Sequence, residues 1–245
     1  MRGTFVADSC TFQIEIEGES WRQGDDISVR WNVTGAKPAN QKIGLALALI
    51  DLRKIKKNDP KGIQLIEAIE YAEDTFNYEY KFALDQNASI SDGTWTVSIV
   101  CGDLNKPLEL KRLDLTITAW ERIEEIITLI ENFKRFKMKT LKNKKSLLDA
   151  KFSVPTSKEY GAIEGLNIHF TRPAGEQAPL SMDFLFKTKK LTYSGAGVET
   201  TKATIKIERK LIKKDYCAFG DSLNQEKLLG IFDEVFAEVS RRTRL

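Results

Sequence analysis

The chain has one histidine, three cysteines and six prolines among its 245 residues, and no long apolar run. Each shortage excludes something. A lone His169 with scattered Cys10, Cys101 and Cys217 cannot supply the clustered ligands of an ordinary zinc site. Cysteines that are odd in number and far apart make no disulfide framework. Cys101 lies on the apolar face of its segment, so a buried reduced thiol is expected. No stretch approaches the roughly 20 apolar residues that a membrane-spanning helix needs. Met1-Arg2-Gly3-Thr4-Phe5 lacks the apolar core of a signal peptide, so a soluble, cytoplasmic protein is expected. Neither sign of charge dominates. The 38 basic and 35 acidic residues leave a net +3, too little for a global field that demands nucleic acid.

Catalytic signatures are missing as well. No G-x-S-x-G elbow occurs. Ser194-Gly195-Ala196-Gly197 lacks the lysine and the strand–helix context of a phosphate loop. His169 sits between Ile168 and Phe170 and so points away from the face they share with Leu166, as a surface or edge histidine does. Carboxylates are plentiful, Glu15/Glu17 and Asp25/Asp26 among them, yet no spacing singles out an acid/base pair. A carboxylate-pair hydrolase acting on sugars or esters stays open as the rival reading. The expectation is a protein that is not an enzyme and uses no cofactor and no metal.

What is present is alternation. In Gly93–Gly102, Trp95, Val97, Ile99 and Cys101 share one face, and Thr96, Ser98 and Val100 the other. That pattern reads as a half-buried strand. Phe76, Tyr78, Tyr80, Phe82 and Leu84 alternate upstream, and two such strands joined through residues 85–92 are expected to form the heart of an antiparallel β domain. Phe12/Ile14/Ile16, Ile27/Val29/Trp31/Val33 and Ile43/Leu45/Leu47/Leu49 continue the period. Small Gly44, Ala46 and Ala48 alternate with the last set, which suggests a strand pressed on both sides. Ile63 to Tyr71 is ambiguous between strand and short helix. Leu108 and Leu110 change parity to Leu113, Leu115 and Ile117, as a β-bulge would produce.

At Trp120 the period becomes helical. Trp120, Ile123, Ile127, Ile130 and Phe133 recur at spacings of three and four. From Lys134 to Lys145 follow seven basic residues and no acidic one: Lys134, Arg135, Lys137, Lys139, Lys142, Lys144 and Lys145. Beyond them Leu166/Ile168/Phe170, Leu180/Met182/Phe184/Phe186 and Ala203/Ile205/Ile207 alternate as three strands. A C-terminal helix is expected from about Leu223, with Ser222 and Gln225 spaced as a capping box. The predicted fold is therefore mainly β. An antiparallel β-sandwich spans 1–119, an amphipathic helix and basic linker 120–149, and a smaller α+β domain 150–245.

Three stretches carry a resemblance. Trp21-Arg22-Gln23-Gly24-Asp25-Asp26-Ile27-Ser28-Val29 is similar to an x-P-G-E-x-[VI]-x-G motif, with Gln23 at the proline position. Phe82-Ala83-Leu84 is similar to F-x-[LF], and Gly93-Thr94-Trp95-Thr96-Val97-Ser98-Ile99-Val100 to G-x-[YW]-x-[VI]-x-[YW]-x-[VI]. In this order they resemble the N-terminal domain of the arrestin-like superfamily. That group takes in the arrestins, the retromer arrestin-like subunit and the bacterial sporulation-control arrestin-like proteins. The resemblance spans about residues 9 to 119. It implies an arrestin- or immunoglobulin-like sandwich and an adaptor or scaffold role without catalysis. The expected partner is another protein. The seven basic residues are the candidate contact surface, for a protein or an anionic membrane. Nucleic acid ranks behind both.

Overall fold

The structure, a computed structural model, describes residues 1–38, 40–72, 77–145, 147–173, 175, 177–194 and 197–243, with the side chains of 190–194 and 197–200 outside the description. Contacts divide the chain into Met1–Trp120 and Glu121–Leu245. The fold is mainly β, built of antiparallel sheets with few helices.

The first unit contains β1 (Arg2–Ala7), β2 (Cys10–Ile16), β3 (Trp21–Arg22), β4 (Asp26–Thr34), β5 (Ile43–Asp51), β6 (Ile63–Glu70), β7 (Asn77–Ala83), β8 (Trp95–Asp103), β9 (Lys111–Leu115) and β10 (Ile117–Thr118). One sheet runs β1-β2-β4-β7 and the other β6-β5-β8-β9, while β3 and β10 form a short parallel pair. The alternating apolar residues of both sheets meet in one core. Phe12, Val29 and Trp31 come from one sheet, and Leu45, Leu47, Val97 and Ile99 from the other. Each such side chain contributes about 1.5–3 kcal/mol when fully buried.

Several expectations are refined here. β8 is buried on both faces, not half-buried. Its reverse face is covered because small Ala46 and Ala48 of β5 join Ile50 and Val100 under Leu52, Ile55, Leu104 and Leu110. Ser98 is buried there and donates to Asp114 Oδ1 at 2.7 Å, which satisfies its hydroxyl. β7 and β8 belong to different sheets, so residues 85–92 join the sheets and form no hairpin. Phe76 lies outside the described residues. The ambiguous Ile63–Glu70 stretch is an edge strand paired to β5. The parity change near Leu110 is no bulge. Pro107 opens a 3-10 turn through Glu109, and β9 begins only at Lys111.

The second unit corrects the expected linker. Helix α2 (Glu121–Leu129), the second after the short α1 (Leu52–Ile55), runs into a π turn, Ile130–Lys134. The basic stretch then forms a strand, β11 (Lys137–Lys144). It continues with β12 (Leu147–Ser153), β13 (Ile163–Thr171), β14 (Leu180–Ser194) and β15 (Gly197–Leu211) as one antiparallel sheet in chain order. The expected boundary at 150 therefore falls inside β12. The turn residues Ala174, Gly195 and Ala196 lie outside the described residues. After α3 (Lys213–Tyr216), helix α4 (Gln225–Thr243) buries Leu228, Phe232, Val235, Phe236 and Val239. Phe232 packs edge-on to Phe184 and Phe236 to Phe186, at centroid distances of 6.1 and 5.5 Å. Ser222 does not cap α4: its hydroxyl donates to Phe219 O, and Asn224 Oδ1 accepts instead from Lys227 N at 3.3 Å.

Candidate functional site

The structure separates the seven basic residues. Lys134 ends the π turn and pairs with Asp233 of α4, leaving its side chain only 14% exposed. Arg135 caps that turn in the left-handed region at φ 60°, and Lys145 does the same after β11 at φ 57°. Lys139 is the extra residue of a bulge between Met138 and Thr140. Lys137, Lys142 and Lys144 stand opposite Ser153, Asp149 and Leu147, while Met138 and Leu141 stand opposite the buried Phe152 and Ala150. Strand alternation therefore sends these three lysines to the sheet face away from the core.

That face belongs to the whole sheet. Lys142, Asp149, His169, Asp183 and Glu208 lie in register across all five strands. The next outward row is Thr140, Lys151, Asn167, Leu185 and Lys206. Asn167 Nδ2 donates to Asp149 Oδ1 at 2.9 Å. Lys206 bridges Asp183, at 3.0 Å, and Glu208. His169, 13% exposed, lies among these groups. Burial holds its pKa below the usual histidine value, and Lys144 and Lys206 push the same way against Asp149 and Asp183. Its Nε2 lies 3.3 Å from Lys144 Nζ and 3.4 Å from Asp149 Oδ1.

The first unit carries a different polar face. Arg2, Glu15, Arg30 and Glu79 lie in register across β1, β2, β4 and β7, alternating in sign. Arg2 meets Glu15 at 2.6 Å, and Arg30 meets Glu79 at 3.3 Å. The hydrogen bond from Arg2 and its charge hold the Glu15 carboxyl below the ordinary range. The neighbouring row, Thr4, Gln13, Asn32 and Asn77, lines the same shallow groove of about 820 Å³. No group of three or more metal-ligating residues converges among the described residues. All three cysteines are free, and burial pushes the Cys101 thiol up to about 12.

Against known proteins, no family model and no curated sequence matches the chain. Solved structures do. Spo0M, a sporulation control protein from Bacillus subtilis, superimposes with a TM-score of 0.59 over 94% of this chain and 98% of its own, at 14% identity. The chain shares that protein's fold over nearly its whole length. The α-2-macroglobulin of Salmonella matches at a TM-score of 0.30 and 15% identity over 87% of this chain and 15% of its own. A Legionella pneumophila protein of the DUF4785 family matches at 0.24 and 10% over 84% and 45%.

Sequence reasoning missed Lys151, Lys187, Lys202 and the row through His169, because they converge only by strand pairing. The signal for β12 was visible: Leu148, Ala150 and Phe152 alternate, but the expected boundary divided them.

Proposed function

We propose that the protein is a non-catalytic, arrestin-like adaptor that binds other proteins. The observation that carries this reading is the fold likeness to a sporulation control protein over nearly the whole of both chains. The electrostatics point the same way. Glu15, Glu164, Glu208 and Glu238 all have pKa values lowered by hydrogen bonds from Arg2, Lys189, Lys206 and Arg209 respectively. A general acid of a carboxylate pair needs the opposite displacement. The sandwich also offers a free edge. Among the described residues β6 pairs with β5 alone, and Ile66, the extra residue of a bulge in that pairing, is 50% exposed. An edge strand with an exposed apolar side chain recognises an extended segment through backbone hydrogen bonds plus one pocketed contact.

Affinity capture from the native cell tests this, with Ile66→Lys as the comparison bait. A stoichiometric protein recovered by the native chain and lost with Ile66→Lys supports the adaptor. Turnover on a panel of sugar and ester substrates, abolished by one Asp or Glu substitution, overturns it in favour of a hydrolase.

A further inference from the structure

The outward face of the β11–β15 sheet carries more positive charge than its own acids neutralise. Lys206 is held by Asp183 and Glu208, and Lys189 by Glu164 at 2.8 Å. Lys142, Lys151, Lys187, Lys202 and Lys210 are exposed and form no close ion pair among the described residues, though Lys187 and Lys202 act at longer range on Glu164 and Lys210 on Glu208. Their register places them on the same face as His169. Lys202 stands directly opposite Lys189 on the neighbouring strand. Like charges in that position work against the sheet, and one carboxylate, Glu164, is shared by Lys189, Lys202 and Lys187. Lysines on an edge strand such as β11 guard against pairing with another chain. Lys151 and Lys187 have no such role, because β12 and β14 are interior strands.

We infer that this face docks on the surface of an anionic phospholipid bilayer. Three features select that occupant. The unpaired cations are all lysine, compact point charges suited to diffuse attraction and not to the bidentate reading of single phosphates that arginine provides. Arg209 of β15 alternates to the core side and is engaged with Glu238 of α4 at 3.0 Å. Among the described side chains of the outward rows there is no phenylalanine, tyrosine or tryptophan on which a nucleic-acid base would stack. A sheet face spreads its charges over five strands about 4.8 Å apart, roughly 19 Å in all, which matches a surface better than a pocket matches one headgroup. This goes beyond the adaptor reading, since it involves the second unit and a lipid and not the sandwich edge.

The test uses the full chain, with sedimentation against phosphatidylserine-containing vesicles and against phosphatidylcholine vesicles. The triple variant Lys142→Gln/Lys151→Gln/Lys187→Gln is compared with Lys54→Gln/Lys56→Gln/Lys57→Gln, which removes the same charge from the first unit. Each lysine near an anionic surface is worth about fivefold in partitioning. The sheet variant is therefore expected to bind the anionic vesicles about 100-fold more weakly, with an unchanged melting temperature, while the first-unit variant binds like the native chain. Binding is expected to weaken as salt rises. Equal loss in both variants overturns the inference, because net charge then suffices. Equal binding to neutral vesicles overturns it. So does tighter salt-sensitive binding to a DNA or RNA oligonucleotide or to polyglutamate. Because lipid binding and protein capture are read separately, failure here leaves the adaptor reading standing, and failure of capture leaves this one standing.

Discussion

The two units each expose a polar sheet face, and the faces solve the charge problem in opposite ways. On the first, the row Arg2, Glu15, Arg30 and Glu79 alternates in sign from strand to strand, so each charge meets its opposite. On the second, Asp183 and Glu208 sit side by side, Asp149 lies across His169 from them in the same row, and lysines lie around them. The first face is electrically closed. The second has neutralised pairs in the middle and surplus cations outside. Strand alternation is the same in both. What differs is which residues the register brings opposite each other, and that decides whether a sheet face is finished or awaits a partner.

Charge reversal is expected to break the comparison most strongly. Arg30→Glu removes the cation shared by Glu17 and Glu79 and adds a like charge beside them. Its melting temperature should fall, and the fall should shrink in high salt. Lys151→Glu places an acid among surplus lysines, so its melting temperature should hold or rise. Calorimetry at two salt concentrations checks both. Equal losses would mean that the second face is as closed as the first.

This asymmetry was only partly legible in the sequence. The period of two in Ile27–Val33 and Trp95–Cys101 marked strands, because one sandwich core needs every second side chain. The small residues between Ile43 and Leu49 marked a strand covered twice, and the satellite cluster under Leu52 and Leu110 is the cover. β11 was not legible. Its bulge at Lys139 shifts the parity between Met138 and Leu141, so its core-side residues fall out of step and the segment reads as a basic linker. The row through Lys142, Asp149, His169, Asp183 and Glu208 joins residues far apart in the chain. No local window contains it, and register is settled by pairing across the whole sheet.

A smaller effect sharpens the comparison through pH. The folded pKa of His169 is lowered, chiefly by burial, so protonation favours the unfolded chain. Stability in the native protein should decline as pH falls through the unfolded histidine value of about 6.5 and level off below the folded value. His169→Gln should remove that decline. The folded pKa of Glu15 is also lowered, by Arg2. Its contribution is present above the unfolded glutamate value of about 4.3 and is lost as pH falls through the folded one. Denaturant melts of the native chain and His169→Gln between those limits check the assignment. An identical slope in both proteins would show that the ring is not held neutral.

The most direct measurement is lysine labelling, read by mass spectrometry, with and without phosphatidylserine-containing vesicles. If the second face is the open one, Lys142, Lys151, Lys187 and Lys202 lose reactivity when vesicles are added, and Lys54, Lys56 and Lys57 of the first unit keep theirs. Uniform labelling of both sets, or protection of the first-unit lysines alone, would contradict the account.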